Sequence, residues 1–464
     1  MPGAALPQIN LPDIGDPSRA VFSSADEQAL ADEFMREIRA QVKLVDDPEV
    51  VQYVNSLGDQ LAAHAEGAPP HFTFFVVQDP TINAFAGPAG HIGIDTGLIV
   101  ATDSQDELAS VIAHEMGHVT QHHLARDIEQ QQKMSLPALA GLAAAILLGT
   151  QSPAAGQAAV AAVAGGQAQL MLNFSRTQEQ EADRVGMQIL AASGFDPRAM
   201  PAFFEKLQRE TRYYREPPEF LSTHPVTASR IADTRARAER YPYHQHPRSV
   251  AFQLVRTKLE VMAEPSARDA VQRFDERLKT GQYGNAEAAR YGLALALLAA
   301  DQPERAQREA EKLLRHDPDR VPYVELMAKT KLAAGDAKGA LKVYVDALEL
   351  YPGDYTLTRG YLDALLQAND ARKALAVLDE YGRHQPLDAA LYRLAAEANE
   401  RVGNHNAARA ALAEHYYLVG QLDAAIQQLR LAMKAPDGDF YESSRIEARL
   451  HEFEQEKAQR AKQN

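Results

Sequence analysis

The stretch SVIAHEMGHVTQHH, residues 110 to 123, places four histidines and a glutamate in a run that otherwise reads as a buried helix. His114, Glu115 and His118 form H-E-x-x-H. On an α-helix, positions i and i+4 share a face, so both imidazoles can reach one cation. Glu115 projects beside them, placed to take a proton from water at a metal. A polar helix with solvent-facing histidines would be written in the same letters. Against that, Leu108, Val111, Ile112 and Met116 make the helix largely apolar around the motif. Two buried histidines with a glutamate need a partner, and a metal ion is the natural one.

A catalytic zinc takes three protein ligands and keeps a fourth position open. His122 continues the i+4 series, but helix rise puts it about 12 Å along the axis from His114, too far to share one ion. The longer pattern H-E-x-x-H-x-x-G-x-x-H would need a histidine at 124, which is Leu124. The third ligand therefore comes from elsewhere, and the best candidate lies in SRTQEQEADRVG, 175 to 186. There Glu179 and Asp183 are one helical turn apart, with both carboxylates on one side. Glu179 can bind metal while Asp183 accepts a hydrogen bond from the outer nitrogen of a ligand histidine. Glu181 points to another face and is expected in solvent. His122 and His123 are expected to be bystanders at the helix end, where positive charge suits the dipole.

These residues need a frame. HFTFFVVQD (71 to 79) and HIGIDTGLI (91 to 99) read as strands, and PTINAFAGPAG between them reads as turns. Helical patterns run over 25 to 42, 48 to 64, 105 to 126, 176 to 193 and 198 to 212. Two Ala-rich runs fill 134 to 172. The first is too short to span about 30 Å of hydrocarbon, and the second is interrupted by Gln157, Gln167 and Gln169. They read as two close-packed helices or, alternatively, as a hairpin touching a membrane surface without crossing it. The mixed segment spans 20 to 245, after an N-terminal extension at 1 to 19. YPYHQHPRS, 241 to 249, reads as a linker.

After the linker the chain is helical and repetitive. Pro318, Pro352 and Pro386 are 34 residues apart, as are Ala306, Ala340, Ala374 and Ala408. A turn residue falls five before each alanine: Asp301, Gly335, Asn369 and Gly403. Helix–turn–helix units of this period, with small residues where helices cross, resemble the tetratricopeptide repeat. About four repeats are expected over 250 to 464, with a degenerate pair at 252 to 280 and a capping helix at the end. Such solenoids form concave binding surfaces, while a purely structural arm is the blander reading.

Composition sets outer limits. The 464 residues carry 48 Lys+Arg against 63 Asp+Glu, a net charge of −15, which disfavours nucleic acid as a general partner. The chain has no cysteine, so disulfides and thiolate metal sites are ruled out. MPGAALPQINLPDIGDPS lacks the basic and apolar regions of a signal peptide, so either the protein is cytoplasmic or a presequence has been removed.

H-E-x-x-H followed about 60 residues later by E-x-x-A-D resembles the M48 family of zinc metallopeptidases, and NAFAGPAGHIGIDTGLI (83 to 99) is similar to that family's substrate-bearing edge strand. With the repeats, the whole resembles its repeat-bearing periplasmic members. The resemblance implies an α+β zincin-like metalloprotease domain, mostly helical with a small sheet, followed by an all-α solenoid. It implies one Zn2+ per chain, held by His114, His118 and Glu179, with Glu115 as general base. It also implies that His224, in STHPVTASRIAD, approaches the zinc as a removable fourth ligand. The residues alone show only a His-Pro turn before a helix. Arg230 would neutralise an oxyanion or pair on the helix surface. The implied function is degradation of misfolded or stalled outer-membrane proteins, with a chaperone-like role in their assembly through the repeats. The alternative is a non-catalytic, repeat-based chaperone with a blocked or structural zinc site.

Overall fold

The computed structural model describes residues 24–66, 71–130, 176–210, 219–243, 248–434 and 440–463. The expected N-terminal extension and the Ala-rich hairpin at 134 to 172 lie outside the described residues. The first half holds α1 (Ser24–Gln41), α2 (Pro48–Ala62), β1 (Thr73–Val77), β2 (Ala84–Ala86) and β3 (His91–Asp95). It continues through α3 (Thr96–Ala101), α4 (Gln105–Thr120), α5 (His123–Gln130), α6 (Arg176–Ala192), α7 (Ala199–Glu210), α8 (Glu219–Thr223) and α9 (Ala228–Ala238).

Local chemistry starts the important helices. Asp47 accepts hydrogen bonds from the Glu49 and Val50 amides, and Pro48 supplies a fixed φ, so α2 begins there. Ser104 caps α4 by accepting from the Glu107 amide. Val50, Val54, Leu57 and Leu61 then bury one stripe of α2 against Phe74, Ile92, Ile94, Leu108 and Ile112.

The sheet has the order β1-β3-β2. β1 runs parallel to β3, with Phe74 opposite Ile92, and β2 is antiparallel to β3, with Ala84 opposite Ile94. Two expectations need correction. The second strand stops at Asp95 rather than 99, because the Thr96 hydroxyl and the Gly97 amide both donate to the Asp79 carbonyl and turn the chain into α3. Part of the segment read as turns is strand β2, which pairs along the edge of the sheet.

The second half consists, among the described residues, of twelve helices. They are α10 (Val250–Ala263), α11 (Ala267–Thr280), α12 (Ala286–Ala299), α13 (Pro303–His316), α14 (Val321–Ala333) and α15 (Ala337–Leu350), then α16 (Tyr355–Gln367), α17 (Ala371–Gly382), α18 (Ala389–Val402), α19 (His405–Leu418), α20 (Leu422–Ala432) and α21 (Phe440–Gln463). Ala306, Ala340, Ala374 and Ala408 are buried where helices cross. All four turn positions adopt left-handed backbone: Asp301 (φ 55), Asn369 (φ 59), Gly335 (φ 82) and Gly403 (φ 86). The array forms six helical pairs among the described residues. The end pairs pack differently from the middle ones. Phe252, Val255 and Leu259 of α10 join the core of the first half, and Ile446 and Phe453 of α21 cover α20. Among the described residues no helix is long and apolar enough to cross a membrane.

Candidate metal centre

Close contact between α4 and α6 assembles the site. A Cβ on Gly117 would lie 2.8 Å from the Ala182 carbonyl oxygen, and one on Gly186 would lie 2.7 Å from that of Ala113 and 2.9 Å from the His114 Cα. With no side chain at either crossing, the backbones touch and bring the α6 carboxylates against the α4 histidines. α8 and α9 close the third side, bringing in His224 and Arg230.

Four ligand atoms converge: one each from His114, His118, Glu179 and His224, all within 4.8 Å of one another and all buried. His114 Nε2 lies 3.1 Å from His118 Nε2 and 3.4 Å from His224 Nδ1. A Glu179 oxygen lies 3.0 Å from His224 Nδ1 and 3.4 Å from His118 Nε2. Asp183 sits behind, 3.1 Å from His114 Nδ1, so the His114 Nε2 lone pair is free to face the cluster. Imidazole nitrogens this close repel one another unless a cation or proton lies between them. The donor set therefore suits a metal ion.

Electrostatics separate the groups. Burial holds His118 well below the ordinary histidine pKa, which keeps it a neutral imidazole. Burial pushes the Glu179 carboxyl up, but the facing His224 and His118 outweigh it, and the net shift is well below the usual range. Burial also opposes the charge on His224, yet the Glu179 and Glu115 carboxylates win and raise it. Glu115 moves the other way. Burial raises its pKa against the pull of His224 and His114, and neither carboxylate oxygen meets a donor in good hydrogen-bond geometry. A buried carboxylate with open lone pairs, 3.6 Å from His224 Nε2, is placed to receive a proton.

Arg230 is not on a helix surface. It is buried: Nε and Nη2 donate to the two Asp183 oxygens at 2.8 and 2.7 Å, and Nη1 reaches Glu179 at 2.6 Å and the Pro225 carbonyl at 3.0 Å. Every guanidinium nitrogen is thus held by site carboxylates or backbone. Two further expectations fail. Glu181 is not simply solvated but contacts His123 Nε2 and Arg126 Nη1, each at 3.1 Å. His123 is no bystander: it is fully buried, with Nδ1 2.9 Å from His118 Nδ1. On a continuous helix, a residue five after His118 faces away, so spacing carried no signal for it. His122 does stand outside the cluster, in left-handed backbone (φ 53) between α4 and α5.

A helix-borne H-E-x-x-H crossed by a helix carrying carboxylates, on a small sheet and followed by a repeat solenoid, defines a metalloprotease with an interaction arm. Residues 48–238 match Peptidase family M48, and residues 331–398 match the tetratricopeptide repeat. The chain belongs to peptidase family M48. It is 34% identical over 445 residues to the beta-barrel assembly-enhancing protease of Escherichia coli (strain K12), covering 96% of this chain and 91% of that protein. A putative protease of the same description from Vibrio cholerae is 34% identical over 448 residues, covering 96% and 92%. The mitochondrial metalloendopeptidase OMA1 of Arabidopsis thaliana is 31% identical over 212 residues, covering 44% of this chain and 36% of that protein.

Proposed function

We propose that this protein is a zinc-dependent endopeptidase of the periplasm that degrades misfolded or stalled outer-membrane proteins. The solenoid presents these substrates or docks on the assembly machinery, giving it a chaperone-like role. The observation that carries the reading is the buried convergence of His114, His118, Glu179 and His224 beside the buried Glu115 carboxylate. The names of its full-length relatives support the link to outer-membrane β-barrel assembly.

His114, His118 and Glu179 would hold the zinc, with His224 as a displaceable fourth ligand. Zinc held there would supply Lewis acidity, to polarise a carbonyl and acidify water. Glu115 takes the proton from the attacking water and delivers it to the leaving amide nitrogen. Asp183 orients His114 through Nδ1. Arg230, paired with both carboxylates, keeps Asp183 and Glu179 ionised and in place. The β2 edge, near Glu115 through the Ala86 amide, offers backbone groups to an extended substrate.

Zinc analysis and cleavage of casein and of an unfolded outer-membrane protein test this on wild type and Glu115→Gln. We expect one zinc per chain in both, and a rate lower by about 10²–10⁴ in the variant. Equal slow rates, with zinc removal altering only stability, would instead make the protein a repeat-based chaperone with a structural metal.

A further inference from the structure

The ligand histidines are backed unequally. His114 rests directly on Asp183, which Arg230 holds. The Nδ1 of His118 meets His123. The helix makes this contact only by breaking: α4 ends at Thr120, His122 takes left-handed backbone, and α5 restarts at His123. The two rings then meet edge to face, with centroids 4.9 Å apart.

Two nitrogens 2.9 Å apart need one proton between them. If His123 donated it, His123 Nε2 would turn a lone pair toward the Glu181 carboxylate 3.1 Å away, and His118 would carry its own proton on Nε2, into the cluster. The first contact is repulsive, and the second leaves His118 no Nε2 lone pair to offer an ion. The opposite one satisfies every atom. His118 Nδ1–H donates to His123 Nδ1, His123 Nε2–H donates to Glu181, and the His118 Nε2 lone pair faces the centre. Arg126, 3.1 Å from the same Glu181 oxygen, balances the charge at the far end.

We infer that His123 is a positioning residue of the metal centre, relaying the Glu181 carboxylate to His118 so that His118 presents Nε2 to the ion. This rests on the proposed metal-binding role of the cluster. The segment E-Q-E-A-D then has three tasks on one helix: Glu179 faces the ion, Asp183 supports one ligand histidine directly, and Glu181 supports the other through His123.

Zinc affinity of the full chain, measured by competition with a chromogenic chelator, tests the relay alongside the melting temperature of the zinc-free protein. Glu181→Ala is expected to weaken zinc binding about 10–100-fold, the usual cost of losing a partner behind a ligand, with zinc-free melting unchanged. His123→Phe, which fills the space without the nitrogens, should do the same. Should that variant fail to fold, the half-exposed Glu181 position decides alone. Glu181→Gln, whose amide oxygen still accepts from His123, should fall between Ala and wild type. Arg184→Ala, which removes Glu181's other neighbour at 4.0 Å, should match wild type. The relay is overturned if Glu181→Ala binds zinc as wild type does, or loses affinity only in step with zinc-free stability. A wild type that binds no zinc overturns the metal centre itself, a result distinct from a zinc-loaded wild type matched by its variants.

Discussion

His224 occupies the most contested position in the site. It reaches Glu179 with one nitrogen and Glu115 with the other, so it touches both a proposed ligand and the proposed base. In the proposed mechanism, a side chain in that place would block the position a substrate carbonyl needs. It directly follows the five-residue α8 and precedes Pro225. His224→Ala is therefore expected to raise casein cleavage several-fold while leaving one zinc per chain. Unchanged or lower cleavage with zinc retained would remove the latch role. Arg230 illustrates the same scale differently: its type permitted an oxyanion role, and the fold turns its guanidinium nitrogens to Asp183, Glu179 and the Pro225 carbonyl.

At the scale of elements, the site depends on how closely α4 and α6 approach. The contact at Gly186 falls on the Ala113 carbonyl and His114 Cα, which are backbone atoms that cannot swing aside. Gly186→Ala must push the helices apart, at a cost of about 1–3 kcal/mol for overpacking. Because the displaced atoms adjoin His114, the effect should exceed simple destabilisation. Urea unfolding should show the loss in the zinc-free protein, and zinc affinity should fall as well. Gly194→Ala makes a useful contrast, since its Cβ would meet nothing within 4 Å and only its left-handed φ would be strained. That variant should lose stability without losing zinc affinity.

At the scale of the whole molecule, the solenoid is seated on the protease domain along its length. α10 enters the core at the start. Midway, Arg359 of α16 grips Asp46 with two nitrogens at 2.8 Å, and Gln52 of α2 bonds Asp354 and Thr356. Near the end, Gly420 lies against the Arg36 side chain of α1. At the centre of the joint, buried Lys258 meets Asp47 at 2.8 Å and Glu49 at 3.0 Å, and Tyr291 donates to Glu49. Lys258→Met should destabilise the folded chain by about 3–5 kcal/mol, because it strands a buried carboxylate. The double variant Lys258→Met/Glu49→Leu should recover much of that loss. Thermal unfolding checks both, and equal melting of single and double variants would show that the pair does not act as a unit.

Much of this architecture is legible in the letters because it is periodic or local. The i, i+4 rule places His114 with His118 and Glu179 with Asp183, and a 34-residue period marks the turns so closely that Asp301 and Asn369 take the same backbone as Gly335 and Gly403. Caps at Asp47 and Ser104 are equally local. What the tertiary structure alone decided lies between distant segments or across a broken period. His123 joins the site only because His122 interrupts the helix, which reverses where a residue five further on must face. Glu181 and Arg230 acquire their partners from elements dozens of residues away, and the Lys258–Glu49 joint spans the boundary between the two halves. Periodicity records which face of an element is buried. It holds no information about which distant charge will be buried opposite, because that depends on how whole elements dock.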